Sequence, residues 1–193
     1  MGRFDHLIHE LQPEYTEWGS WCPSPQAYFR GEACMPGATY HCGFQAIAGP
    51  TVMEVAHCHH GVEEYLVIVG ANVPDIWDFD AEYDIMLGDD SDHMEKFTVN
   101  RPVIIRIPPN VWHCPIYFRK VNKPLLWQAV YLNGTWGKTL AVKKEDGSKM
   151  FQFMGDGISV CVKDPTKKCS YCGRCFRERA EARKKAEEAA KAK

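Results

Sequence analysis

The sequence predicts an all-β domain, either a sandwich or a closed barrel. Many short segments have the character of β-strands, and Gly, Pro and Asp residues separate them. Only one helical pattern occurs before residue 170. Short strands separated by turn residues are typical of antiparallel sheets that fold over one another.

Residues 1–37 are predicted to form a short helix and an irregular arm. Apolar residues recur with helical spacing from Phe4 to Leu11, and Pro13 ends this pattern. The segment 14–37 is rich in Trp, Pro and Gly. We expect it to wrap a sheet or a partner subunit, with a lid over a pocket as the alternative.

Residues 38–160 are predicted to form the barrel. Its strands are predicted at residues 39–47, 52–59, 64–69, 82–87, 95–99, 102–107, 113–118 and 124–132. Turn sequences separate several of them, such as Gly49-Pro50, Gly88-Asp89-Asp90 and Pro108-Pro109-Asn110.

Composition and charge exclude several classes of protein. The formal net charge of −2 offers no broad positive field for nucleic acid. No apolar run approaches the roughly 20 residues that span a bilayer. The N-terminus lacks the charged and apolar regions of a signal peptide, so we expect a cytoplasmic protein. Nine cysteines, an odd number, argue against a disulfide framework and favour reduced thiols, metal ligands or buried packing.

The stretch 57–65, His-Cys-His-His-Gly-Val-Glu-Glu-Tyr, carries the strongest chemical signal. Alternate side chains of a strand share a face, so His57 and His59 should point the same way. Glu63 or Glu64, returning on the next strand, would complete a two-histidine, one-carboxylate set. His113 lies at the end of another strand and supplies a third imidazole. Such ligands suit Fe(II), Mn(II), Ni(II) or Zn(II).

These residues resemble the two motifs of the cupins, small metal-binding barrels. The first motif, His-x-His, three or four residues, Glu, six residues, Gly, is matched by His57, His59, Glu63 and Gly70. The second, Pro-x-Gly, two residues, His, three residues, Asn, is matched by residues 108–113, with Tyr in place of the final Asn. The resemblance covers roughly residues 38–134. It implies a cupin-type double-stranded β-helix, or jelly-roll barrel.

Two departures from the motifs matter. Asn110 stands where the second motif has Gly, and Asn is the residue other than Gly that best tolerates a left-handed conformation. Counting back from Gly70 favours Glu63 as the ligand. In one branch of cupins that this chain resembles, the second acid of such a pair is the ligand, which favours Glu64. Neighbouring strand residues face opposite ways, so only one of the two can bind the metal.

Three further residues near this stretch have open roles. His60 should point away from His57 and His59, towards the surface or behind the ligands. His41 on the preceding strand either lines the pocket or faces solvent. Arg106 either points inward, to pair with a substrate carboxylate, or pairs with an acid on a strand such as Asp84.

The third segment, residues 161–193, is predicted to be a cysteine-rich segment and a charged helical tail. Cys161, Cys169, Cys172 and Cys175 resemble the cluster-binding run of bacterial ferredoxins, or alternatively a four-cysteine zinc site. Free thiols are the other interpretation. Residues 176–193 are rich in Ala, Glu, Lys and Arg and predict a solvated helix.

The resemblance implies a metal-dependent cupin enzyme that acts on a small oxygenated organic molecule. Dioxygenation, isomerisation and decarboxylation all occur among cupins, and the fold does not decide among them. The alternative is a non-catalytic module that binds a small ligand, or senses redox state or metal through the C-terminal cysteines. Cupins often pair through their sheets, so a homodimer is expected.

Overall fold

The computed structural model describes residues 3–15, 18–155, 160–161 and 164–168. The strands are β1 (Ala27–Phe29), β2 (His41–Ile47), β3 (Thr51–Met53), β4 (His57–Cys58), β5 (Glu64–Gly70), β6 (Ala81–Asp90), β7 (His93–Val99), β8 (Val103–Ile107), β9 (Trp112–Val121), β10 (Leu125–Tyr131), β11 (Gly137–Lys143), β12 (Lys149–Gly155), β13 (Val160–Cys161) and β14 (Asp164–Lys168). Two 3-10 helices are present, at Asp5–Leu7 and Gly31–Ala33.

Two antiparallel sheets form the barrel. One has the order β1-β2-β10-β5-β8, and the other has the order β12-β11-β4-β9-β6-β7, with β3 paired to β9. Strands β13 and β14 pair only with each other among the described strands. This arrangement confirms the predicted all-β fold, with antiparallel sheets in a barrel.

The hydrophobic core lies between the two sheets. It contains side chains from both of them, including Ile47 and Ile68 of the first sheet and Ile85 and Ile116 of the second, all fully buried. In β5 the buried residues alternate strictly with half-buried ones, so Glu64 shares the inner face with the apolar residues that follow it. The period-2 pattern therefore places one carboxylate inside the barrel.

The start of the chain differs from the predicted helix. Only Asp5–Leu7 is helical, as a single 3-10 turn. Phe4 is 59% exposed and Ile8 is 79% exposed, so the apolar residues of this segment have no face to pack against. An isolated short helix without tertiary packing is not stable in water, which explains why the apolar spacing fails here.

Three other differences concern strands. The predicted strand 52–59 is divided into β3 and β4, because Glu54 between them has a φ of 64°. The hairpin of β11 and β12 was not predicted, although its Asp146-Gly147 turn is a strong hairpin signal. The arm contains β1, which pairs with β2 at the edge of the first sheet.

Two further expectations concern the C-terminal tail and membrane-spanning helices. The predicted helical tail, residues 176–193, lies outside the described residues. Within the described part of the chain, no helix is long and apolar enough to cross a membrane.

Candidate metal centre

The first two motif histidines and His113 meet at one end of the barrel. His57 lies in β4 and is the register partner of His113 in β9, while His59 follows β4 directly. Each of the three side chains is at most 4% exposed. One ring nitrogen from each lies within 4.8 Å of the others. The spacing of these histidines in the sequence therefore produces a compact buried cluster.

Backbone carbonyl groups fix the orientation of the three rings. The Nδ1 atoms of His57, His59 and His113 lie 2.7, 2.6 and 3.1 Å from carbonyl oxygens of Val55, Gly137 and Val111. A carbonyl oxygen can only accept a hydrogen bond, so each Nδ1 carries a proton, and Nε2 is the ring nitrogen that is left to face a metal ion. Histidines that bind metals are held in this way by a hydrogen bond from the other ring nitrogen.

Glu64 brings a carboxylate to the same place. Its Oε2 lies 3.0 Å from Nε2 of His113 and 3.4 Å from Nε2 of His59, and the residue is 2% exposed. Burial alone would raise the pKa of this carboxyl group. The neighbouring His113 and His59 outweigh burial, and the pKa lies well below the ordinary range. Glu64 is therefore an anion inside the barrel.

The arrangement fits a divalent cation. Nε2 of His59, Nε2 of His113 and Oε2 of Glu64 are buried and face one another, and among the described residues none has a hydrogen-bond partner outside this group. Burial, followed by His113 and Lys138, holds the pKa of His57 well below its usual value, so this ring stays neutral. Buried lone pairs and a buried anion that face one another need a positive charge between them. Three imidazoles and a carboxylate suit Fe, Mn, Ni or Zn.

Glu63 lies on the opposite face and takes no part in this cluster. Nε and Nη2 of Arg106 each donate a hydrogen bond of 2.8 Å to its carboxylate, and the Tyr65 hydroxyl donates a further one. The guanidinium, and then the phenol, lower the pKa of Glu63 to about 2. Of the two adjacent carboxylates, the structure brings only Glu64 to the histidines.

Arg106 pairs with an acid, as one of its two alternatives expects, but the acid is Glu63 rather than Asp84. It does not point into the barrel, because it is bound to Glu63 on the outer face and its side chain is 61% exposed. It does not pair with Asp84 either. Asp84 accepts a hydrogen bond of 2.6 Å from Thr98 and lies 3.1 Å from Arg119. The register of β8 against β5 places Arg106 opposite Tyr65, beside Glu63, and this register was not evident from the sequence.

A cavity of about 590 Å³ opens beside the cluster. Its lining combines the ligand side chains with apolar, aromatic and polar groups from both sheets and from the arm. The lining includes Tyr28, His41, Gln45, His57, Glu64, Leu66, His113, Ile116, Trp127, Tyr131, Trp136 and Lys138. Small-molecule sites are commonly cavities of this size with mostly apolar walls and a few polar groups.

Two polar neighbours of the cluster have different roles. Tyr131 lies with its ring centroid 4.8 Å from that of His59, and burial and the charge of Glu64 raise its pKa well above the usual value. Its phenol therefore stays protonated. His60 is buried rather than on the surface, and its Nε2 lies 3.0 Å from the Thr139 hydroxyl. Burial, with a smaller effect of His59, lowers the pKa of His60 to about 4.

Strand β11 supplies site residues that the sequence interpretation missed. Gly137 accepts the hydrogen bond from His59, Thr139 contacts His60, and Lys138 lines the cavity. The hairpin signal at Asp146-Gly147, read together with the alternation before it, would have located this strand.

The predicted cysteine site falls largely outside the described residues. Cys169, Cys172 and Cys175 are not among them, and Cys161 ends the two-residue strand β13. Cys22, Cys34, Cys42, Cys58 and Cys114, which lie in the described part of the chain, form no disulfide there.

The facing antiparallel sheets and the converging histidines fit a metal-binding cupin barrel. No family model matches the chain, and no curated protein has a significantly similar sequence. Solved structures of oxalate decarboxylases are similar in fold. A variant of the Bacillus subtilis enzyme is 11% identical over 67% of this chain and 29% of its own, with a TM-score of 0.47. The Lactobacillus farciminis enzyme in complex with formate is 17% identical over 67% of this chain and 33% of its own, with a TM-score of 0.46.

This chain thus matches about a third of the length of those chains. At this identity, the similarity does not indicate what the chain binds or converts. The candidate metal centre is inferred from the geometry of this chain's own residues.

Proposed function

We propose that the protein is a metal-dependent enzyme that acts on a small oxygenated organic molecule, by dioxygenation, isomerisation or decarboxylation. One observation carries this proposal. His57 and His113 belong to the buried histidine cluster, Glu64 lies 3.0 Å from Nε2 of His113, and all three line the cavity of about 590 Å³. A structural metal site is closed by protein ligands, whereas a catalytic site keeps a position open to substrate.

Nε2 of His57, His59 and His113 and the carboxylate of Glu64 would hold the ion, which is Fe, Mn, Ni or Zn. A bound ion of this kind supplies Lewis acidity to a substrate oxygen or, when it is iron, a site for O₂. The hydrogen bonds from Nδ1 keep the three rings in one orientation, so the ligand atoms are arranged before any ion arrives.

The remaining residues of the cavity bind and orient the substrate. Leu66 and Ile116 provide apolar wall, which excludes water from the reacting end. Tyr131 keeps its proton beside Glu64 and lines the cavity, so its phenol would donate a hydrogen bond to a substrate oxygen.

Metal content after oxygen-free purification tests the proposal. We expect about one ion per chain in the wild type, and loss of that ion in a His57→Ala/His113→Ala variant. His93→Ala is the matched control, because the His93 side chain is 61% exposed and pairs with Asp90 away from the cluster. Failure of the wild type to retain Fe, Mn, Ni or Zn after reconstitution with each would overturn the proposal.

Turnover separates an enzyme from a binding module. The metal-loaded protein would be incubated with 2-oxo acids, catechols, dicarboxylates and sugars. Oxygen uptake, carbon dioxide release and NMR of the products would be followed. We expect turnover that Glu64→Gln abolishes and Glu63→Gln retains. A metal-loaded wild type that binds members of this panel tightly but converts none of them would favour the non-catalytic alternative.

A further inference from the structure

We infer that the end of the cavity remote from the histidines is a subsite that donates hydrogen bonds to a second oxygen of the ligand. Trp127 and Gln45 form it. The inference deepens the proposed function and rests on it for one point, which is that the first oxygen of the ligand lies at the metal centre. The subsite itself follows from the register and burial of two neighbouring strands.

The register of β2 and β10 sets the length of the ligand. Tyr131 is opposite His41 at the metal end, and Trp127 is opposite Gln45 four positions further along the strands. At the rise of a β-strand these two rows lie about 13 Å apart at the backbone. Both rows line the cavity, so the cavity extends along the inner face of this sheet.

Small residues keep the space between the two rows open. Gly43 is opposite Ala129 in the intermediate row, and both line the cavity. Leu66 continues this row on β5. The middle of the cavity is therefore lined by small and apolar residues, which suits the hydrocarbon part of a ligand.

Trp127 determines the polarity of the remote end. The residue is 2% exposed, and its Nε1 is buried without a hydrogen-bond partner in the described part of the chain. An indole nitrogen can only donate a hydrogen bond. The ring is held by edge-to-face contact with Phe118 at 5.9 Å between centroids. A fixed, buried donor that lines a cavity selects an acceptor atom on whatever fills the cavity.

Gln45 adds a second donor beside the indole. It is 5% exposed, and its Nε2 likewise lacks an acceptor among the described residues. Because Gln45 and Trp127 are register partners on the same inner face, one oxygen atom between them can accept from both.

Neutral donors recognise the remote oxygen of the ligand, because the cations near the cavity are already paired with carboxylates. Arg30 is bound by Glu14, and Lys138 is bound by Glu54. Paired charges of this kind contribute little free positive potential. The remote oxygen is accordingly that of a ketone, ether or hydroxyl group rather than a carboxylate. The ligand class is a molecule with oxygen at both ends and an apolar middle.

The first test uses metal-free protein labelled with ¹⁵N at its tryptophan indoles. Cyclohexanone and methylenecyclohexane are matched probes that differ only by an oxygen in place of a CH₂ group. We expect cyclohexanone to move the Trp127 indole N–H resonance downfield, and methylenecyclohexane to leave it unmoved. Trp127→Phe assigns the resonance, and Trp77→Phe, at a position 74% exposed, is its control. Equal responses to the two probes would overturn the inference.

The second test uses zinc-loaded protein and calorimetric titration with a chain-length series of 2-oxo acids. 2-Oxooctanoate and its 7-keto analogue are one matched pair. At one chain length we expect the keto-terminated acid to bind about 10-fold more tightly than the methyl-terminated acid. This preference should fall to about 2-fold or less in Gln45→Met. The control Gln128→Met changes a residue on the other face of the neighbouring strand and should retain it. A preference that persists in Gln45→Met, or that appears at no chain length, would contradict the subsite.

The two tests separate the subsite from the metal centre. If zinc does not improve the binding of any 2-oxo acid, the proposed function is wrong, while the cyclohexanone response still decides the subsite. If zinc improves binding and the matched pairs bind equally, the metal centre stands and the subsite is wrong.

Discussion

Glu63 and Glu64 are adjacent in the chain, and their carboxylates lie in opposite surroundings. Glu64 is buried within the barrel beside His59 and His113. Glu63 lies on the outer face and is held by Arg106 and Tyr65. Both carboxyl groups have lowered pKa values, for different reasons. The comparison shows that strand alternation, rather than residue type, decides which carboxylate enters the site.

The two surroundings also differ in the source of positive charge. Arg106 gives Glu63 a permanent cation in bidentate geometry. Glu64 has only imidazoles, which are cationic only when protonated. A buried anion without a permanent cation is costly. A metal ion beside the inner carboxylate would supply the permanent positive charge that Arg106 supplies to the outer one.

The largest expected effect tests this difference directly. Glu64→Gln should weaken metal binding by at least about 100-fold, since even residues behind the ligands commonly contribute 10- to 100-fold. Glu63→Gln should leave metal affinity unchanged. Competition with a chromophoric chelator would measure both. Equal losses in the two variants would contradict the assignment of Glu64 as the inner ligand.

A smaller effect is expected from a residue that contacts the backbone behind His59. A Cβ at Gly155 would lie 2.4 Å from Cα of Gly137, whose carbonyl orients the His59 ring. Gly155→Ala should displace this carbonyl and weaken metal binding by about 10- to 100-fold. Gly147→Ala in the same hairpin is the control, because its φ of 81° is also positive, as is the φ of 150° at Gly155, but no atom lies within 4 Å of its Cβ. Equal losses in both variants would mean that backbone strain, not displacement of Gly137, is responsible.

A buried polar group outside the site should affect the stability of the protein rather than its metal affinity. Tyr83 is fully buried, and its hydroxyl has no hydrogen-bond partner in the described structure. Tyr83→Phe should raise the free energy of unfolding by about 1 kcal/mol, because an unsatisfied buried hydroxyl is removed without loss of volume. Urea denaturation would measure this gain, with Tyr117→Phe, at a position 39% exposed, as the control. A loss of stability in Tyr83→Phe would reveal a partner for the hydroxyl.

The smallest effect concerns the outer carboxylate. Arg106→Met should raise the pKa of Glu63 from about 2 towards its ordinary value of 4.5. A carboxyl group with a lowered pKa in the folded state stabilises the protein above pH 4.5, and this contribution is lost as the pH falls towards 2. The variant should therefore lose less stability than the wild type across that range. Carboxyl ¹³C NMR and acid titration of the melting temperature would check both points, and an unchanged pKa would show that Tyr65 alone lowers it.

The sequence could predict the barrel and the three histidines, because alternation and motif spacing are local properties. It could not choose between Glu63 and Glu64. That choice depends on where β5 begins and on its register with β10, in which Glu64 is opposite Tyr131. Asn110 adopts the left-handed conformation that its place in the motif requires, with a φ of 67°. Register arises from tertiary packing and was not evident from the order of residues.

The arm shows a second limit of sequence interpretation. Tyr28 lines the cavity from β1, a strand of three residues. Three residues are too few to display a period of two, so no pattern marks this strand. The cysteine site of the tail and the homodimer stay predictions.

The hydrogen bonds from Nδ1 to backbone carbonyls have an evolutionary consequence. Every amino acid has a carbonyl group, so substitutions at Val55 and Val111 leave an acceptor in place behind the imidazoles. The orientation of the imidazoles at this end of the cavity is thereby insulated from changes in side-chain composition around it. Substitutions that remodel the pocket wall would therefore leave the hydrogen bonds behind His57 and His113 in place.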